Sequence, residues 1–292
     1  MDGAGRRTTT ATFDPIQYKH TTHEQWQAAA PAWNKWGPTL EQWLGPATEL
    51  MLDLAELRPG NRVLDLAAGA GGQTLGAARR VGSTGLVLAT DISSNILAFA
   101  AENAQNAGLN NVQTRVADAE NLELEDQTFD AVICRLGLMY LPDLAKALIG
   151  IHRVLKPGGK LALMVFNLAE KNPFFSLPVA IIRRRVQLPP PLPGQPGPFS
   201  LGGSGIMERL YQQAGFREVQ TQVVSAPLRL ASATECVRFE RDSFGALQQM
   251  LAGLAQEERE SVWQEIEQTL RHFEGPSGFE GTCELLLAVG IR

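Results

Sequence analysis

From Val63 to Phe166 short apolar runs alternate with stretches of helical spacing. The runs are Val63–Leu66, Leu86–Thr90, Ala131–Cys134 and Leu161–Phe166, and Val112–Ala117 reads as a further, more polar strand between them. Strands separated by helices cannot pair as tight hairpins. Each crossover brings the chain back in the same direction, so a parallel sheet with helices on both faces follows. The spacing predicts helices over Gln73–Val81, Ser93–Gln105 and Asp143–Leu155. In the second, Ile96, Phe99, Ala100 and Asn103 fall at i, i+3, i+4 and i+7, Ser93 is placed to cap the start, and Gly108 to end it. Small residues Gly76, Ala77 and Ala78 let the first helix pack closely on a sheet. Lys156-Pro157-Gly158-Gly159-Lys160 stops the third helix and turns the chain into strand five.

The flanks read differently. Residues 1–12 are rich in Gly, Arg and Thr and are expected to be a disordered tail. Residues 13–57 hold Trp26, Trp33, Trp36 and Trp43. They predict helices near His23–Trp33 and Thr39–Leu57, broken at Gly37-Pro38, and Pro46 is compatible with a second helix that starts there. Such a segment is suited to close over the core (58–166) as a helical lid. Residues 167–205 carry Pro173, Pro178, Pro189-Pro190-Pro191, Pro193, Pro196 and Pro198 among Phe174, Phe175 and Phe199. They predict an insertion that is not regular throughout. Residues 206–292 predict a helix over Ile206–Ala214 ended by Gly215, and a strand over Val219–Val224. Helices near Thr234–Phe244 and Leu247–Phe273 and a last strand over Glu284–Val289 then complete the sheet and cap it.

Bulk properties exclude several classes. A net charge of −5 and a pI of about 5.5 argue against a nucleic-acid backbone as partner. Cys134, Cys236 and Cys283 form no CxxC pair, so neither a metal site nor a disulfide framework is expected, and Cys134 and Cys283, in apolar runs, read as buried free thiols. No run of 18 apolar residues exists, so no membrane insertion is expected. Met1–Thr12 lacks an apolar signal core, so a cytoplasmic location is expected. Oligomerisation stays open.

Gly69-Ala70-Gly71 directly follows the first strand, and Asp91 closes the second. A glycine turn lets backbone approach a ligand, and a strand-end carboxylate can take both hydroxyls of a ribose, so the pair marks a nucleoside site. A dinucleotide fingerprint would need a third glycine where Thr74 stands, and no GxxxxGK loop occurs. On spacing alone an NAD(P)-dependent oxidoreductase, or a silent scaffold that keeps the nucleoside fold, stays open.

Five segments in order carry a resemblance: Val63-Leu64-Asp65-Leu66-Ala67-Ala68-Gly69-Ala70-Gly71; Asp91-Ile92-Ser93; Ala117-Asp118-Ala119-Glu120-Asn121-Leu122; Phe129-Asp130-Ala131-Val132-Ile133-Cys134; and Arg153-Val154-Leu155-Lys156-Pro157-Gly158-Gly159. From about Arg62 to Phe166 the chain resembles the class I S-adenosylmethionine-dependent methyltransferases, nearest the branch of the ubiquinone and menaquinone C-methyltransferases. The resemblance implies a doubly wound, mostly parallel seven-stranded sheet of Rossmann-like α/β class, with S-adenosyl-L-methionine bound, S-adenosyl-L-homocysteine released and no metal. It implies that Gly69 and Gly71 bring backbone to the methionine part, and that Asp65 orients the loop or the ammonium. Thr74 and Arg135 are implied to meet the amino-acid moiety, Asp91 the ribose, Asp118 and the Ala119 N–H the adenine, and Ile92 and Leu122 its faces. Ala67 departs from the usual first glycine.

In-line transfer needs positioning and dryness more than a catalytic side chain. Candidate bases are His20, His23 and Tyr140, the last better suited to substrate contact; His152 is expected to be structural. Trp33, Trp36, Met139, Tyr140, Phe174 and Phe175 are expected to meet a small, partly hydrophobic organic acceptor. Arg183-Arg184-Arg185 reads as a solvated face or as a catch for a carboxylate or phosphate. The Asn/Asp-Pro-Pro-aromatic run of amine methyltransferases is absent after strand four, as is a Pro-Cys nucleophile.

Overall fold

The computed structural model describes residues 13–192 and 194–292; the expected tail over 1–12 lies outside them. Helix α1 (Pro15–Lys35) starts well before His23 because Asp14 caps it, accepting from the Ile16 and Gln17 N–H groups at 3.0 and 3.1 Å, with Pro15 in the first turn. Few of its residues are fully buried, so no clean apolar stripe announced that first stretch. Helix α2 (Gly37–Leu54) begins at the Gly37-Pro38 break and runs through Pro46 instead of starting there. One lost backbone bond is outweighed by the face of Leu44, Met51 and Leu52, all at 0% exposure. Each such side chain contributes roughly 1.5–3 kcal/mol.

The alternating core then follows as β1 (Arg62–Leu66), α3 (Gly72–Val81), β2 (Leu86–Asp91), α4 (Ser94–Asn106), β3 (Val112–Val116), β4 (Phe129–Arg135), α5 (Leu144–Val154) and β5 (Leu155–Phe166). Ser93 caps α4 by accepting from the Ile96 N–H, and Gly108, at φ 70°, closes its far end. Gly76 meets α2 rather than the sheet: a Cβ there would stand 2.9 Å from Leu52 Cδ1. The Lys156–Gly159 turn sits within β5 as a bulge, where the β4 register jumps from Leu155 to Lys160.

After β5 come α6 (Pro173–Arg185), α7 (Ile206–Gln213), β6 (Arg217–Ser225), β7 (Leu228–Leu230), α8 (Ala233–Ser243), α9 (Gly245–Met250), α10 (Gln256–Leu270), β8 (Glu274–Gly275), β9 (Gly278–Gly281) and β10 (Glu284–Ile291). The proline-rich insertion thus contains a full helix, α6, with Pro173 in its first turn and Pro178 inside it. The single helix expected over Leu247–Phe273 is interrupted after Met250 and restarts at Gln256, with Gly253 in the gap and the Ala255 N–H donating to Glu258 at the restart.

The seven-stranded sheet has the order β3-β2-β1-β4-β5-β10-β6; only β10 runs antiparallel to its neighbours. The expected doubly wound sheet is therefore present. Strands β7, β9 and β8 form a second small sheet that nothing in the spacing announced. The strand order reverses between β1 and β4, and a crevice opens there beyond the carboxyl ends of the strands.

Candidate functional site

The crevice is a cleft of about 1130 Å³, mouth included. Its floor is the turn after β1. Ala67 takes φ 52° and Gly69 φ 57°, so the turn passes twice through the left-handed region. For Ala67 that conformation costs about 1 kcal/mol, a local strain held at the cleft by the surrounding fold. Asn103 reaches back from α4 to donate to the Ala70 carbonyl at 2.9 Å and fixes the turn from outside. Gly71 takes φ 90°, and a Cβ there would meet Ala100 at 3.2 Å; it seats α4 against the turn rather than lining the cleft.

Asp91 ends β2 at the cleft wall with 9% exposure. One of its oxygens accepts from the Gly69 N–H at 3.1 Å and the other from the Ser93 N–H at 3.0 Å. Burial raises its pKa above the usual carboxylate value, against the pull of those backbone donors. Each oxygen keeps a free lone pair. Ile92, Ala117, Asp118 and Ala119 continue the wall. Asp118 accepts from the Glu120 N–H at 2.9 Å and pairs with Lys19 at 2.7 Å. Lys19, from α1, also pairs with Glu120. Leu122 is buried and packs toward Gly150 rather than the cleft.

Asp65 and Thr74 stand behind the floor and satisfy each other. Thr74 donates to Asp65 at 2.5 Å and Gln73 donates to its other oxygen at 3.0 Å. Complete burial pushes Asp65 up to about 7, despite those bonds and the nearby Arg135 guanidinium. Gln73, not Thr74, reaches the cleft. Arg135 closes this end. It donates to Thr48 at 3.1 Å and lies across Gly72, where a Cβ would come within 2.6 Å of its Nη2. It thus sits over the N-terminus of α3, where backbone N–H groups and a guanidinium together favour an anion.

The opposite wall is aromatic. Trp26, Trp33, Trp43, Tyr140, Phe166 and Phe244 line it, with Met139. Trp33 packs edge-on against Trp26 at 5.3 Å, and its Nε1 faces Gly69, 3.2 Å from where a Cβ would stand. Trp43 donates to the Ala226 carbonyl at 2.7 Å. Burial raises the Tyr140 pKa further above its ordinary value, so its hydroxyl stays protonated and can donate but not act as a base near neutral pH.

Several expected residues stand elsewhere. Trp36 donates to Asp242 at 3.0 Å and packs on Phe239, away from the cleft. Phe174 is in the core against Trp43. Phe175 borders a neighbouring chamber. His20 is exposed beside Glu24, and His20 and His23 open on a shallow outer depression that shares only Lys19, Ile92 and Pro142 with the cleft. His152 packs against Phe216, far along α5. Sequence reasoning did not single out Lys19, Trp26, Trp43, Gln73 or Phe244 for the site. The tryptophan cluster was the available signal for two of them. All three cysteines are free and buried. Among the described residues no group of three or more His, Cys, Asp or Glu side chains gathers to hold a metal ion, and no helix is long and apolar enough to cross a membrane.

Comparison with known proteins agrees with this geometry. A family model described as a methyltransferase domain, Methyltransf_31, matches residues 57–186. The ubiquinone/menaquinone biosynthesis C-methyltransferase UbiE of Hydrogenovibrio crunogenus is 40% identical over 132 residues, which are 43% of this chain and 52% of that protein. The UbiE of Teredinibacter turnerae is 41% identical over 122 residues, 41% of this chain and 49% of that protein. The chain thus spans about half the length of the curated relatives it matches. Among solved structures, the YcgJ protein of Bacillus subtilis aligns with a TM-score of 0.57 at 22% identity, covering 85% of this chain and 98% of that one. Haemonchus contortus phosphoethanolamine N-methyltransferase 2, solved with phosphomonomethylethanolamine and S-adenosylhomocysteine, aligns with a TM-score of 0.56 at 19% identity over 89% of this chain and 57% of that one. At such identities these structures speak for the fold.

Proposed function

We propose that the chain, whose residues 57–186 match a methyltransferase-domain model, is a class I S-adenosylmethionine-dependent methyltransferase whose cleft binds that donor and passes the methyl group to a small, partly hydrophobic acceptor. The observation that carries the reading is the Gly69–Asp91 floor. Bare backbone faces the cleft at Gly69, and Asp91 is held by two backbone donors with lone pairs to spare for a pair of ribose hydroxyls. When bound, the donor supplies a methyl group already activated on a sulfonium.

The chain's own residues do the rest. Asp118 and the Ala119 N–H take the adenine edge and Ile92 one adenine face. Arg135 and the start of α3 take the amino-acid carboxylate. Trp26 and Trp33 on α1 shut out water and keep the acceptor in line, where positioning alone supplies several kcal/mol. Among the described residues no histidine lines the cleft, and Tyr140 keeps its proton. The acceptor therefore arrives as a nucleophile. A ring carbon next to an ionised hydroxyl fits both this base-poor wall and the C-methyltransferase names of the relatives. Its C–CH3 bond forms as the S–CH3 bond breaks to give the neutral thioether, and the ring proton then leaves to water as the ring regains aromaticity.

Calorimetric titration with S-adenosylhomocysteine tests the first half; one saturable site per chain is expected, and the absence of binding would sink the reading. A screen of acceptors with isotopically labelled methyl donor tests the second half. The label is expected on carbon of an aromatic acceptor. Label confined to nitrogen or sulfur would overturn the choice of acceptor atom while leaving the donor site standing.

A further inference from the structure

Beside the cleft lies a second chamber of about 1420 Å³, mouth included. Thr22, Trp26, Tyr140 and Phe244 border both spaces, so the chamber adjoins the place where the acceptor must meet the methyl group. Its walls come from α1, α6, α9 and the turn over residues 195–200. That turn is anchored at Met139, whose carbonyl accepts from the Gly197 N–H at 3.0 Å and the Ser200 hydroxyl at 3.2 Å. The lining is mostly apolar and flat. Phe175 stacks on Phe244 with centroids 4.4 Å apart, and Phe199 closes on Phe175 at 5.7 Å.

Among the polar groups in that lining, which include Thr22, Gln25 and Gln195, two stand out. The first is Arg183, half-buried on α6. Its two neighbours are neutralised: Arg184 and Arg185 both pair with Glu265 on α10. Among the described residues no carboxylate lies within ion-pair distance of Arg183. The second is Ser243 at the end of α8, 0% exposed, whose hydroxyl has no hydrogen-bond partner. A buried hydroxyl without a partner costs stability unless something meets it. An unpaired guanidinium at the edge of an apolar chamber is the group that holds a carboxylate, sulfonate or phosphate.

We propose that the chamber holds the body of the acceptor, and that this acceptor is an amphipathic aromatic with an anionic group bound by Arg183, remote from the atom that takes the methyl. The chamber's role as acceptor site rests on the methyltransferase reading; its selectivity for an anionic aromatic does not. The two can therefore fail separately.

The test uses the full chain saturated with S-adenosylhomocysteine, so that the cofactor end is filled. Two fluorescent probes share a fused-ring body: anilinonaphthalene sulfonate, which is anionic, and phenylnaphthylamine, which lacks the sulfonate. Arg183→Gln is expected to weaken the sulfonate about tenfold, the scale of one hydrogen bond to a charged group, and to leave phenylnaphthylamine within about twofold. Arg183→Lys restores part of the loss, because the charge returns without the fork. Arg184→Gln leaves both probes unchanged. Equal weakening of both probes by Arg183→Gln, no weakening of either, or failure of the unaltered protein to bind the sulfonate overturns the proposal. Loss of S-adenosylhomocysteine binding in the same titrations speaks against the donor site instead.

Discussion

At the proposed donor end of the cleft the wall is backbone and carboxylate, drawn from the tips of β1, β2 and β3. At the proposed acceptor end it is aromatic ring, drawn from α1, α2, β5 and the junction of α8 with α9. The donor end is built within one sheet, where each residue's place follows from strand alternation. The acceptor end exists only after distant segments have packed. A change at one end should therefore leave the other's binding intact, and substitutions can break or sharpen that separation.

The largest expected effect lies behind the donor floor. Asp65 has a folded pKa of about 7 against 3.8 for the free group. Folded protein therefore holds this proton where unfolded protein has released it. Stability falls as pH rises from about 4 to about 7 and then levels off. Asp65→Asn removes that loss while keeping an oxygen for Thr74. The difference in unfolding free energy should move in the variant's favour by about 4 kcal/mol across that window. Denaturant titrations of both proteins across the window measure it; parallel stability curves would show that Asp65 is ionised in the fold.

Asp91→Ala comes next. It removes the acceptor of the Gly69 N–H and of the proposed ribose hydroxyls. An expected hundredfold loss of S-adenosylhomocysteine affinity corresponds to two hydrogen bonds to a charged group at about 1.5 kcal/mol each. If the ends are separate, anilinonaphthalene sulfonate binding to the unliganded protein should not change. Gly137→Ala probes the close packing between them. Its added Cβ would lie 2.4 Å from Ala67 Cβ and 2.9 Å from Cys134 Sγ, so the strained turn or the β4 end must shift. A stability loss of about 1–3 kcal/mol is expected in thermal melts, with weaker binding at both ends.

Trp26→Ala should act on one end only. Trp26 packs against Trp33 and Tyr140 and borders both spaces. Its removal should raise the acceptor KM about tenfold, the scale of a lost aromatic wall, with S-adenosylhomocysteine affinity within about twofold. Equal losses at both ends would mean that the lid closes on donor and acceptor as one body.

The same division explains what could be read from the chain. The β1–β5 order and the places of Gly69, Asp91 and Asp118 were legible because strand alternation and turn glycines are local signals. Asp65 and Thr74 were legible as positions, but not their mutual bond, which leaves neither on the cleft surface. Aromatic composition did not say which ring faces where. Trp36 turns to Asp242, and Phe174 to the core beneath Trp43, while Phe244, some 200 residues from Trp33, packs edge-on against it at 6.3 Å. Lys19 had no local signature, since its partners Asp118 and Glu120 lie about 100 residues further on. The short strands β7–β9 carry too few residues for a pattern.

The smallest expected effect concerns that lysine. Among the described residues Lys19 is the one side chain of α1 paired with Asp118, the carboxylate proposed to meet adenine, and that pair is partly exposed, at 29% and 34%. Such exposed pairs add about 1 kcal/mol or less, but Lys19→Met also takes the cation from the buried Glu120, so a small fall in melting temperature is expected. The substitution should also change binding. With one Asp118 oxygen accepting from the Glu120 N–H and the other from Lys19, each keeps a lone pair for an incoming adenine amine, but the Lys19 charge draws on the same carboxylate and weakens it as an acceptor. Freeing Asp118 should tighten S-adenosylhomocysteine a few-fold, and the gain should shrink as salt screens the original pair. Calorimetry at low and high ionic strength measures both. Weaker binding in the variant would instead make Lys19 part of the adenine pocket, and the lid would then belong to the donor end as much as to the acceptor's.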